Sequence, residues 1–129
     1  MKKIKIAYYI VTIILSLFIV LPAYFDITAA PAARDIMKHL GYPVYLLYIV
    51  GWAKILGIIG IWQPKVYFLR EWAYAGLMID VVGALISHLV VGDSFPMFAP
   101  ALVAIILVTA SYILFRKHVS QTVVLKNKV

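Results

Sequence analysis

The chain of 129 residues contains no cysteine. That excludes disulfide frameworks, thiol catalysis, thiolate metal sites and cysteine-held iron–sulfur clusters. It is also poor in charge. Asp, Glu, Lys and Arg make up 13% of it, where soluble domains carry about 25%. Acid is the scarcer sign, five residues against twelve basic ones, and the formal net charge is +7. There is no internal repeat, no low-complexity segment and no metal-ligand spacing of the H-E-x-x-H kind. What is present is apolar side chain, 65% of the residues, with a mean hydropathy of +1.01. So short a chain has too little interior to withdraw that much apolar surface from water. A soluble globular domain, a disordered tail and a collagenous repeat are therefore excluded, and the composition is that of an integral membrane protein. In that setting a basic excess belongs to flanks facing the cytoplasm and its anionic lipid, so no nucleic-acid partner is expected.

Charges punctuate four apolar runs, at about residues 6–25, 44–63, 72–91 and 97–115. Each is near the ~20 residues that a helix needs to cross ~30 Å of hydrocarbon, and lipid leaves no alternative to helix for a single span. The first run follows Lys2, Lys3 and Lys5. It is longer than the apolar core of a signal peptide and is read as a retained span. The predicted fold is all-α, an antiparallel four-helix membrane bundle occupying residues 1–116, followed by a loose basic tail over 117–129. Four spans put Lys2, Lys3, Lys5, Lys65, Arg70, Arg116, Lys117, Lys126 and Lys128 on one side, against Arg34 and Lys38 on the other. This places both termini in the cytoplasm. The first connection, Asp26 to Pro43, is long enough for an element of its own. Pro31 suits a first helical position and Gly41 a position just past a helix end. Ala33, Ile36, Met37 and Leu40 share a face between them, as in a short amphipathic helix on the outer surface or a plain capped connector.

Lys54 and Asp80 are the informative residues. Counted from the cytoplasmic ends of consecutive antiparallel spans, their heights differ by only ~1.5 Å. A lone charge at mid-membrane costs at least ~2.5–3.5 kcal/mol, so opposite charges at one depth are expected to meet. Lys54 shares a face with Leu47, Gly51, Ile58 and Ile61, with Gly57 at its edge. Asp80 shares one with Ala73, Gly76, Ala84 and Ser87. Both stripes are expected to face each other and the bundle interior. The pair is read in two ways, as a register pin between helices or as a polar centre for a ligand head group or proton.

Glu71, Ser87 and His88 are further candidate proton or ligand contacts. Each also has a plainer reading. Glu71 opens the third helix, where the dipole, Arg70 and Lys65 favour a carboxylate. His88 lies near the outer surface, where backbone or headgroup can satisfy it, and His39 sits on the same side in the first loop. A haem held by two histidines is not expected, and no catalytic residue or metal site is assigned. Asp26 and Asp93 read as outer helix ends with ordinary capping or solvated turns. Thr12 and Ser16, one turn apart, are expected to bond backbone carbonyls or a neighbouring helix.

The strings Leu40-Gly41-Tyr42-Pro43, Lys54-Ile55-Leu56-Gly57 and Glu71-Trp72-Ala73-Tyr74-Ala75-Gly76 occur in order. Asp80, Ala84, Ser87-His88-Leu89, Gly92-Asp93, Ser111-Tyr112 and Arg116-Lys117 follow. In order and spacing they resemble the DoxX-like family of small four-span bacterial membrane proteins over nearly the whole chain. The resemblance implies a membrane bundle and, through the wider group, an association with quinone-reducing or other membrane oxidoreductase complexes. It carries over no catalytic residue. The function it favours is a quinone-associated or redox-linked accessory subunit, more a partner of an enzyme than an enzyme itself. A bound quinone or lipid would be its only cofactor, and a membrane protein or a second copy its partner. Two alternatives stand beside it: a scaffold or assembly factor without chemistry, and a small carrier of protons or solutes.

Overall fold

A computed structural model describes residues 2–127, with side chains described to residue 123. Five helices follow in order: α1 (Lys2–Ile27), α2 (Pro31–Leu40), α3 (Leu46–Trp62), α4 (Tyr67–Val91) and α5 (Phe95–Asn127). The described residues contain no strand. Helices α1, α4 and α5 are long and apolar enough to cross a membrane, whereas α3 is a shorter apolar helix of 17 residues.

Helices α1, α4 and α5 overrun the apolar runs that announced them, whereas α3 falls inside its run of 44–63. Lys2 to Lys5, Arg70, Glu71, Arg116 and Lys117 end a hydropathy run but are good helix formers, so nothing in the backbone stops there. The expected loose tail is therefore corrected, because α5 continues unbroken from Arg116 to Asn127. The last two residues of that tail, Lys128 and Val129, lie outside the described residues.

The four long helices pack as a ring in the order α1, α3, α4, α5, each against its two neighbours. Their buried residues recur at three and four: Tyr8, Thr12, Leu15, Ile19 and Ala23 on α1, Leu77 and Val81 after Tyr74 on α4, Ala104, Val108, Ser111 and Phe115 on α5. These stripes meet in one core with Ile58 and Ile61 of α3. Large apolar side chains also cover the exterior, with Trp72 71%, Ile79 73% and Val90 80% exposed. So extensive an apolar exterior is costly in water and suits lipid.

Glycines bring α3 close to its neighbours. A Cβ on Gly60 would sit 2.7 Å from the Ala73 Cβ, and one on Gly57 2.8 Å from a Leu77 methyl. On the other side, a Cβ on Gly51 would fall 2.8 Å from Ile27 Cγ1 and 3.0 Å from Asp26 Cβ. Gly51 thus lets the end of α1 lie against α3.

Helix α2 forms as expected, with Pro31 in its first turn and Gly41 at φ +83°. There the Gly41 and Tyr42 amides donate to the Lys38 and Met37 carbonyls. This closure needs a left-handed residue, which glycine adopts without a Cβ clash. Ala33 of the expected apolar face is buried, with Met37 packed beside it in a small cluster with Ala29, Val44 and Leu47. Ile36 remains exposed. The turn between α3 and α4 is tied by one side chain. Gln63 Oε1 accepts the Lys65 and Val66 amides, and its Nε2 donates to the Val66 carbonyl at 2.6 Å.

Candidate functional site

Lys54 stands at the middle of α3, on the face with Leu47, Gly51, Ile58 and Ile61, and all four of these are buried as the pattern requires. Its Nζ donates to Asp26 Oδ2 at 2.8 Å and lies 3.9 Å from Asp80 Oδ2. The three side chains are only 16%, 13% and 18% exposed. One amine therefore faces two carboxylates, and its shorter contact is to Asp26. Sequence reasoning brought Lys54 and Asp80 to one depth but treated Asp26 as a solvated helix end. Asp26 instead lies inside α1, which runs to Ile27, and the Gly51 contact presses it against the Lys54 face. Its one sequence signal was its place directly after an uncharged run.

The stripe expected around Asp80 needs correction. Tyr74, Leu77 and Val81 take the interior of α4, while Gly76 and Ala84 are exposed. Larger apolar groups gain more from burial, so they turn inward and the small residues move to the seam with α3. There they leave a groove of about 530 Å³ lined by Lys54, Gly57, Gly60, Trp72, Gly76 and Asp80 among others. Its walls are apolar, and Lys54 and Asp80 supply its charges.

A neutral centre lies deeper. Thr12 Oγ1 and Ser111 Oγ are 2.7 Å apart, and Tyr74 OH is 2.8 Å from Ser111 Oγ. Thr12 and Ser111 are fully buried. Ser16 donates to the Thr12 carbonyl at 2.7 Å and accepts from Trp62 Nε1 at 2.8 Å. Thr12 and Ser16 thus make both kinds of bond expected of them.

Where α4 begins and α5 nears its end, Glu71 Oε1 accepts from Tyr67 OH at 2.7 Å and from Arg116 Nη1 at 3.0 Å, while Oε2 accepts from Tyr112 OH at 2.8 Å. The expected support from Arg70 and Lys65 is replaced by these partners. Adjacent residues on a helix do not share a face. Arg70 instead donates to Tyr8 OH at 2.7 Å and to the Ile61 carbonyl, with its guanidinium 4.3 Å above the Phe115 ring. Sequence reasoning missed this role for Arg70, and only the approach of α1, α3 and α5 to α4 creates it.

At the opposite end, His88 Nδ1 and His39 Nε2 donate to the two oxygens of Asp93 at 2.6 and 2.5 Å. The hydrogen bond from His88, then that from His39, holds the Asp93 carboxyl below its ordinary range. The sequence suggests capping or a solvated turn for Asp93 and backbone or headgroup partners for His88, yet the two are partners. Tyr42 OH donates to Ser87 Oγ at 2.6 Å, and Ser87 donates to the Gly83 carbonyl. These bonds fasten the α2 region to the end of α4. Among the described residues, no group of three or more His, Cys, Asp or Glu is arranged to hold a metal ion.

The polar residues thus fall into separate layers along an apolar helical frame, and the Lys54 layer opens on an apolar groove. Comparison with curated proteins and with solved structures gives no match. The model of the DoxX-like family matches residues 10–110, a stretch containing Asp26, Lys54, Glu71, Asp80 and Asp93, and the chain belongs to the DoxX-like family.

Proposed function

We propose that this membrane protein crosses the bilayer four times and serves as a quinone-associated accessory subunit of a redox complex in the bacterial inner membrane. In this reading α3 is the fourth span. Its 17 residues reach ~26 Å, near the lower limit for crossing. The asymmetry of Lys and Arg puts both termini in the cytoplasm. The observation that carries the functional reading is a donor and an acceptor, Lys54 and Asp80, at an apolar groove of about 530 Å³. A lipid-soluble ring with carbonyl oxygens suits such a site. Its apolar body fills the groove between α3 and α4, and one oxygen accepts a hydrogen bond from the Lys54 ammonium. Quinone would supply the redox chemistry, and the chain's part is to bind and orient it. Electrons would come from a partner subunit.

The test is quinone-dependent thermal stabilisation of the gently extracted protein. Asp80→Asn leaves the 2.8 Å Lys54–Asp26 contact in place and is expected to keep the fold while weakening the shift given by the reduced, quinol form, whose hydroxyl would donate to the Asp80 carboxylate. No co-purifying quinone and no shift in the unaltered protein would remove the proposal. A scaffold without chemistry is favoured by one observation, that Asp26 already satisfies Lys54. That reading expects Asp80→Asn to retain function in cells along with the fold.

A further inference from the structure

A second crevice lies in the seam between α4 and α5, apart from the groove beside α3. It encloses about 290 Å³ between Tyr74, Ala75 and Met78 on one helix and Val108 and Thr109 on the other, with Glu71 and Tyr112 at one end. Ala75 and Thr109 are exposed, so the crevice opens on the outer surface of the bundle, where acyl chains lie. We propose that this crevice binds a phospholipid whose headgroup carries a phosphate and a primary ammonium, the phosphate on Arg116 and the ammonium on Glu71.

The hydrogen bonds at the crevice mouth carry the assignment. Glu71 Oε1 already accepts from Tyr67 and Arg116, whereas Oε2 accepts from Tyr112 alone. A carboxylate oxygen offers about two acceptor positions, so Oε2 has one left for an incoming N–H. Arg116 is oriented by its Nη1 bonds to Glu71 and to Tyr112 OH at 3.3 Å. Its Nη2 and Nε have no hydrogen-bond partner among the described residues, and the side chain is 56% exposed. A guanidinium edge in that state is a good phosphate ligand. A purely anionic headgroup would gain Arg116 but meet the Glu71 carboxylate. A choline headgroup would match both charges but brings no N–H for Oε2. An ethanolamine phospholipid meets both demands, with an acyl chain running along Ala75, Met78, Val108 and Thr109.

The test is native mass spectrometry of the full chain titrated with ethanolamine, choline and glycerol phospholipids of identical acyl chains. The ethanolamine lipid is expected to be retained about tenfold better than either of the others, the effect of one charge-assisted hydrogen bond. Glu71→Gln should bring it down to the level of the choline lipid. Arg116→Gln should weaken all three. Ala75→Phe, at an exposed position, should fill the crevice and reduce retention of every lipid without lowering the melting temperature. Equal retention of the three lipids overturns the proposal, as does a preference for the glycerol lipid. So does an ethanolamine preference that survives Ala75→Phe. If Glu71→Gln does not fold, the lipid comparison on the unaltered chain and Ala75→Phe decide. None of these outcomes depends on whether the α3–α4 groove takes quinone.

Discussion

The two polar centres within the helices, Asp26–Lys54–Asp80 and Thr12–Ser111–Tyr74, are built on opposite terms. The first is charged, joins α1, α3 and α4, and sits beside an open groove with one amine between two carboxylates. The second is neutral, joins α1, α4 and α5, and is sealed in the core with its hydroxyls paired. Hydroxyls cost little to bury once hydrogen-bonded, whereas charges demand both a partner and residual polarity around them. The molecule therefore closes its core with the neutral set and keeps the charged set at a seam. One centre suits holding helices together, and the other suits meeting something from outside.

The strongest challenge to that contrast is Lys54→Met. It leaves Asp26 and Asp80 largely buried without their cation, and we expect a loss of about 3–5 kcal/mol, read by unfolding in detergent. Adding Asp26→Asn and Asp80→Asn should restore most of it. A stable single variant would mean that the charged centre is as well solvated as a surface pair. Next in size is Gly60→Leu, which drives a side chain into Ala73 and should cost about 1–3 kcal/mol by overpacking. Its effect separates the close α3–α4 approach from the charges beside it. Ser111→Ala removes the hydroxyl shared by Thr12 and Tyr74 and should cost about 0.6–1.7 kcal/mol. A larger loss would make the neutral centre the greater contributor to stability.

A smaller effect is expected from pH. The Asp93 carboxyl is held below its ordinary value by hydrogen bonds from His88 and His39. Its folded pKa is thus lower than its unfolded one, so its stabilisation is present above the unfolded value of about 3.9 and is lost as pH falls through the depressed folded value. The stability difference between wild type and Asp93→Asn should shrink on acidification below about pH 4, as followed by thermal unfolding.

Much of this was legible in the chain, for identifiable reasons. Pro31 and Gly41 bracket α2 because each has one backbone conformation that suits its place. Leu47, Gly51, Ile58 and Ile61 mark the inner face of α3 because a helix repeats every 3.6 residues. The common depth of Lys54 and Asp80 followed from rise per residue alone. Asp26 was misplaced because a hydropathy run ends one residue before it while the helix does not. Arg70 and Glu71 were read as neighbours, yet they point to different helices. Asp93 gave no local sign of two histidines arriving from positions 39 and 88.

Composition and apolar spacing by themselves determined a helical membrane protein and its order of elements, because hydropathy and helical rise are properties of a chain taken one segment at a time. Which carboxylate holds Lys54, which way the small face of α4 turns and which hydroxyls meet in the core were decided only in three dimensions. Those outcomes depend on how closely whole helices approach, and that distance is set jointly by side chains far apart in the chain.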